Sequence, residues 1–132
     1  MPKVIIRGKI KDPQYKKVDE VDGVKVIKRI ANGPASLPRM AGRSRMYILE
    51  NAKGERKSIG IYDSSGHLAK AIDFGHGHTN RPKSGKNEYL KNGVAHIHSI
   101  KGGRNNNVRY LTSREIKKYG NLIVKLGGKV SV

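Results

Sequence analysis

The stretch RMYILENAKGERKSIGIYDSSGHLAKAIDF, from Arg45 to Phe74, consists of three apolar-rich runs separated by two turn signals. Arg45 to Leu49 reads as a strand, Asn51-Ala52-Lys53-Gly54-Glu55 as a turn and Lys57 to Tyr62 as a second strand. Asp63-Ser64-Ser65-Gly66 then reads as a second turn, and His67 to Phe74 as a third strand. Turn residues at this spacing define an antiparallel meander. Side chains alternate across a strand, so Ile59 and Ile61 share one face of the middle strand, and Leu68, Ile72 and Phe74 share one face of the third. The same parity places Asp73 on the face opposite Ile72 and Phe74.

Working outward, Val94 to Ile100 resumes the alternation, with Ala95 and Ile97 on one face and His96 and His98 on the other. Toward the N-terminus, Gly23 to Ile30 reads as a half-buried strand, and Val4 to Ile10 has strand character up to the turn signal at Asp12-Pro13. Gln14 to Asp22 alternates charge, which fits a short helix. The segment from Ala31 to Arg45 is broken by Asn32-Gly33-Pro34 and Leu37-Pro38, and reads as a loop carrying Arg39, Arg43 and Arg45. Lys101 to Asn107 reads as a polar loop, followed by a short strand from Val108 to Leu111. Thr112-Ser113-Arg114-Glu115 then has the capping-box pattern, which predicts a short helix stopping near Gly120. Gly127-Gly128 marks a last turn. The expectation is one α+β domain spanning residues 1–132, with a twisted antiparallel sheet of about five strands and one or two short helices at its edge.

Charge is the strongest bulk signal. Lys and Arg number 28 against 10 Asp and Glu, a formal net charge of +18. A field of that size attracts polyanions, because each phosphate neutralised releases condensed counterions. Nucleic acid is therefore the expected partner, ahead of an anionic membrane surface. The chain has no cysteine, which excludes disulfides and thiolate metal sites. No run near Met1 resembles a signal peptide, and no apolar run reaches membrane-spanning length. The expectation is a chain that does not enter the membrane and acts in the cytoplasm.

Four of the five histidines fall between residues 76 and 98, as His76-Gly77-His78 and His96-Ile97-His98. Imidazole is the side chain suited to acid/base work near neutral pH and to metal ligation. If the strand from Val94 lies beside the third strand of the meander, Asp73, His96 and His98 share a cleft, with His76 or His78 at its edge. The loop between the pairs, Thr79 to Asn92, is long for a hairpin connection and carries Arg81, Lys83 and Lys86. His67 stands alone beside a turn and is given no role. Tyr62 and Tyr110 are read as half-buried strand residues.

Tyr62-Asp63-x-x-Gly66, Ile72-Asp73-Phe74, His76-Gly77 and His96-x-His98 together resemble a pattern from small C-terminal domains of phage head-associated proteins and bacterial polymorphic toxins. The resemblance covers residues 58–100. It implies a toxin-like nuclease with a site around Asp73, His76, His96 and His98. It also implies delivery as part of a larger phage or secreted protein, and an immunity or carrier protein as a further partner. The chain departs from the pattern in having Ala71 where the pattern has an acidic residue, and lysines rather than prolines between the histidine pairs.

Two chemistries follow from these residues. In a metal-independent ribonuclease, His96 and His98 divide acid and base roles, with His76 as alternate and Asp73 orienting them. Arg43, Arg81, Lys83, Lys86 and Arg104 then contact nucleic acid, RNA being favoured over DNA because it supplies its own nucleophile. This reading needs no cofactor. In the alternative, His76, His78, His96 and His98 hold zinc or another divalent metal, structural or catalytic, in a nucleic-acid-binding module. A plain basic binding module with solvated histidines is the third reading. The ribonuclease predicts that His96→Ala abolishes cleavage and leaves the fold intact.

Overall fold

The computed structural model describes residues 14–30, 36–75, 90–101 and 108–131 with their side chains, and 5–6, 9–10, 78–80, 88–89 and 104–107 by backbone alone. In chain order the strands are β1 (Ile5–Ile6), β2 (Lys9–Ile10), β3 (Tyr15–Val21), β4 (Val24–Arg29), β5 (Met46–Glu50) and β6 (Arg56–Tyr62). They continue with β7 (Leu68–Asp73), β8 (His78–Asn80), β9 (Glu88–Leu90), β10 (His96–Lys101) and β11 (Arg104–Tyr110), and α1 (Ser113–Lys125) follows. Seven strands form one sheet in the order β11-β10-β7-β6-β5-β4-β3, and β1-β2 and β8-β9 form two separate ribbons.

This corrects the expected fold. The main sheet has seven strands rather than about five, it is mixed rather than antiparallel, and one helix accompanies it among the described residues. The meander from β5 to β7 and the pairing of β7 with β10 follow the sequence reading, but a register shift at Ile61/Tyr62 places Leu68 with Tyr15 and Tyr62 rather than on the face of Ile72 and Phe74. The segment from Gln14 to Asp22 does not follow it: Tyr15–Val21 is an edge strand, paired with β4. Asp22 and Gly23 both have positive φ, 51° and 77°, and link Val21 to Val24. Asp-Gly with both residues left-handed is the favoured two-residue hairpin turn, and that turn sets the strand's fate more strongly than its charged side chains do. An edge strand also needs little apolar content.

The mixed character arises at β4 and β5, which pair in parallel. A parallel pair requires the chain to cross back over the sheet between β4 and β5. The described part of the crossover packs Leu37 and Ala41 onto Tyr15, Ile27, Tyr47, Leu49, Tyr62 and Leu68. The Tyr15 and Tyr62 hydroxyls donate to the carbonyls of Ser36 and Pro38, each at 2.6 Å. Burial pushes the Tyr62 hydroxyl far above its ordinary pKa, so it remains a donor at any physiological pH.

The opposite face carries the main core. Val26, Ile48, Ile59, Ile72 and Ile97 stand side by side in register across five strands, each at most 1% exposed. Tyr119, Leu122 and Ile123 of α1 cover this face. The helix begins as predicted, with Thr112 as N-cap and a complete capping box to Glu115. It does not stop at Gly120 but runs to Lys125, and Gly127, at φ 94°, ends it. A mid-helix glycine costs about 1 kcal/mol relative to alanine. Docking of Tyr119, Leu122 and Ile123 on the sheet outweighs that cost. Beyond the helix, Lys129 bridges to the chain before β10: the Ala95 amide donates to its carbonyl at 2.7 Å.

Glu115 joins the helix start to the sheet. Its carboxylate accepts both Arg109 guanidinium nitrogens, at 2.6 and 3.1 Å, and the Thr112 amide at 2.8 Å. The Arg109 bonds, first among these, pull its pKa from the usual 4.5 to about 2. A carboxylate depressed in the folded state contributes stability above its unfolded pKa, and that stability is lost as pH falls toward the folded value. Allowing for screening at the partly exposed Arg109, the contribution is about 2 kcal/mol. Thermal melts of the parent should therefore decline between pH 5 and pH 2, and Glu115→Gln should be less stable at pH 6 with a flatter acid limb. Equal slopes in the two proteins would remove this pair from the account.

Candidate functional site

On the face turned away from the helix, the register creates a polar row where the sheet is widest. Leu49 of β5, Ser58 of β6, Asp73 of β7, His96 of β10 and Tyr110 of β11 are successive cross-strand neighbours. The adjacent row runs Tyr47, Gly60, Ala71, His98 and Val108. Directly opposed side chains on one face have Cβ atoms about 5 Å apart. Asp73 is thus the lateral neighbour of His96, and His98 stands beside them across from Ala71.

The Asp73 carboxylate is held at both oxygens: Ser58 Oγ donates to Oδ2 at 3.1 Å and the Gly75 amide to Oδ1 at 2.7 Å. Asp73 also lines a small cavity of about 190 Å³ with Ser58, Lys57 and Gly75. His96 and His98 pack edge to face, with ring centroids 4.9 Å apart. His96 has no exposed surface and His98 retains 7%. The Tyr110 hydroxyl accepts the Lys91 amide at 2.9 Å, which ties the return of the inter-histidine segment to the same row.

Of the residues singled out in the sequence, Asp73, His96 and His98 are brought together as expected. His76, Arg81, Lys83 and Lys86 lie outside the described residues. His78 begins β8 and Arg104 begins β11, both placed by backbone only. Arg104 pairs with Lys101, at the end of β10 away from His96. Arg43 is exposed and stands by Gly66, at the opposite end of β7 from Asp73. Arg43 therefore stands away from the histidine pair.

Among the described residues no group of three or more His, Asp or Glu is arranged to hold a metal ion. Ala71 faces His98 across β7 and β10, as Asp73 faces His96. Ser58 and Tyr110 were not singled out in the sequence as members of the row. Only strand register reveals them, since both read locally as ordinary strand residues.

Comparison with protein-family models, with curated proteins and with solved structures finds no match to this chain.

Proposed function

We propose that this chain binds RNA through its basic surface and cleaves it without a metal at the Asp73–His96–His98 site. The observation that supports this most is the in-register pairing of Asp73 with His96, with His98 packed against the imidazole. A carboxylate beside an imidazole orients it, and a second imidazole completes an acid/base pair. In the reaction, one imidazole removes the 2′-hydroxyl proton and the 2′-oxygen attacks phosphorus. The bond to the 5′-oxygen breaks, that oxygen takes a proton from the second group, and a 2′,3′-cyclic phosphate remains. His98 is the imidazole with solvent contact and is assigned the substrate-facing role. The partner role falls to His96 or to His76.

The complete burial of His96 favours a second reading, in which the cluster belongs to the core of a basic RNA-binding module without chemistry. The two separate on incubation with total RNA and with plasmid DNA, with and without EDTA, beside His98→Ala. RNA cleavage that survives EDTA and falls by roughly 10²- to 10⁴-fold in His98→Ala is the expected result. RNA binding with no cleavage would leave the binding module, and cleavage abolished by EDTA would replace the mechanism with a metal-dependent one.

A further inference from the structure

Ile100 stands two residues beyond His98 on β10, roughly 7 Å further along the strand. There it lines a cavity of about 710 Å³ between the sheet and the crossover, a volume suited to a small organic ligand. Leu37 and Leu68 form the apolar walls with Ile100. Arg39, Lys101 and the exposed imidazole of His67 stand around it. Neither Arg39 nor Lys101 forms an ion pair with a described residue. The crossover creates this space: the Leu68 amide donates to the Arg39 carbonyl at 2.9 Å, and Met40 bridges His67, so Arg39 is fixed beside the start of β7.

An apolar recess flanked by a planar ring and by two cations with no ion pair among the described residues is complementary to a flat, apolar-faced group that carries an anion. Asp63, also at the cavity, is anionic: the His67 amide, first among its partners, and the Ser65 amide hold its carboxyl below the ordinary range. It repels phosphate from its own side and leaves the Arg39 and Lys101 side as the anion's place. We infer that this cavity is a nucleotide subsite, taking the base of one nucleotide of single-stranded RNA against Leu37, Leu68 and Ile100 and its phosphate between Arg39 and Lys101. Its position next to His98 on the same strand fits the nucleotide neighbouring the scissile linkage. The inference rests on the RNA-binding part of the proposed function and not on cleavage.

A fluorescent single-stranded 2′-O-methyl oligoribonucleotide, which has no free 2′-hydroxyl to attack phosphorus, tests it on the intact protein by anisotropy across a salt series. Arg39→Ala combined with Lys101→Ala should weaken binding at least tenfold at low salt. It should also reduce the log–log salt slope by about 0.7, the value for one phosphate neutralised on a single strand. In amide-resolved NMR, a 5′-mononucleotide should shift Leu68, Ile100 and Lys101, and inorganic phosphate at equal concentration should shift them far less. Oligonucleotide binding that is unchanged in the double variant, with shifts elsewhere, would overturn the subsite and leave RNA binding standing. Phosphate matching the nucleotide would overturn the base-binding part. A parent protein with no affinity for the oligonucleotide at low salt would overturn the subsite and the RNA reading together.

Discussion

Ile72→Ala should lower the free energy of unfolding by about 2–5 kcal/mol, the range for truncating a fully buried aliphatic side chain. Ile72 has no exposed surface and lies between Ile59 and Ile97 in the row from Val26 to Ile97. Its loss leaves a hole that strands on both sides share, and hydrogen-bonded strands collapse into such a hole poorly. Phe74, on the same face, closes the end of the layer against Gly128, where an added Cβ would meet its ring carbons at 2.8 and 2.9 Å. The core therefore has little slack nearby to absorb the change. Urea unfolding by linear extrapolation measures the effect directly. A loss below 1 kcal/mol would mean that the isoleucine row is not the common core of the sheet and helix.

His96→Ala should be the second large loss, a loss of stability and, on the proposed function, of RNA cleavage as well. On the ribonuclease reading, the sequence alone leads to the expectation that the fold survives this change nearly intact. Burial overturns that expectation, because the ring has no exposed surface and fills space between Asp73 and Tyr110 on the flanking strands. A cost of about 2–4 kcal/mol is expected, or a Tm lowered on the order of 10 °C. His96→Phe restores ring volume without restoring proton transfer. Recovery of Tm in His96→Phe, with RNA cleavage still absent, would assign His96 both a packing and a chemical role. A His96→Ala protein that melts with the parent would show that the ring is not part of the packed interior.

Much of the candidate site is legible in the sequence because it depends on parity. His96 and His98 must share a face if the segment is a strand, and Asp73 must oppose Ile72 and Phe74. Both hold. Which residues join them is a matter of register across four strands, and no local signal carries that. The cavity beside Ile100 is less legible still. Arg39, His67 and Lys101 come from three distant segments, and in the sequence His67 has no role.

The sequence by itself determined what short-range physics controls. The turns at Asn51 to Glu55 and Asp63 to Gly66, the alternation of the meander, the Thr112–Glu115 capping box and the charge of +18 all depend on a few neighbouring residues or on simple sums. Tertiary structure decided the rest. β3 became an edge strand because its hairpin partner was available. β4 and β5 became parallel because the crossover could seal the second face. The helix passed Gly120 because the sheet offered its apolar face a place to dock. In each case the deciding energy is burial against residues far away in the chain, and it exceeds the local preferences of about 1 kcal/mol that a sequence displays.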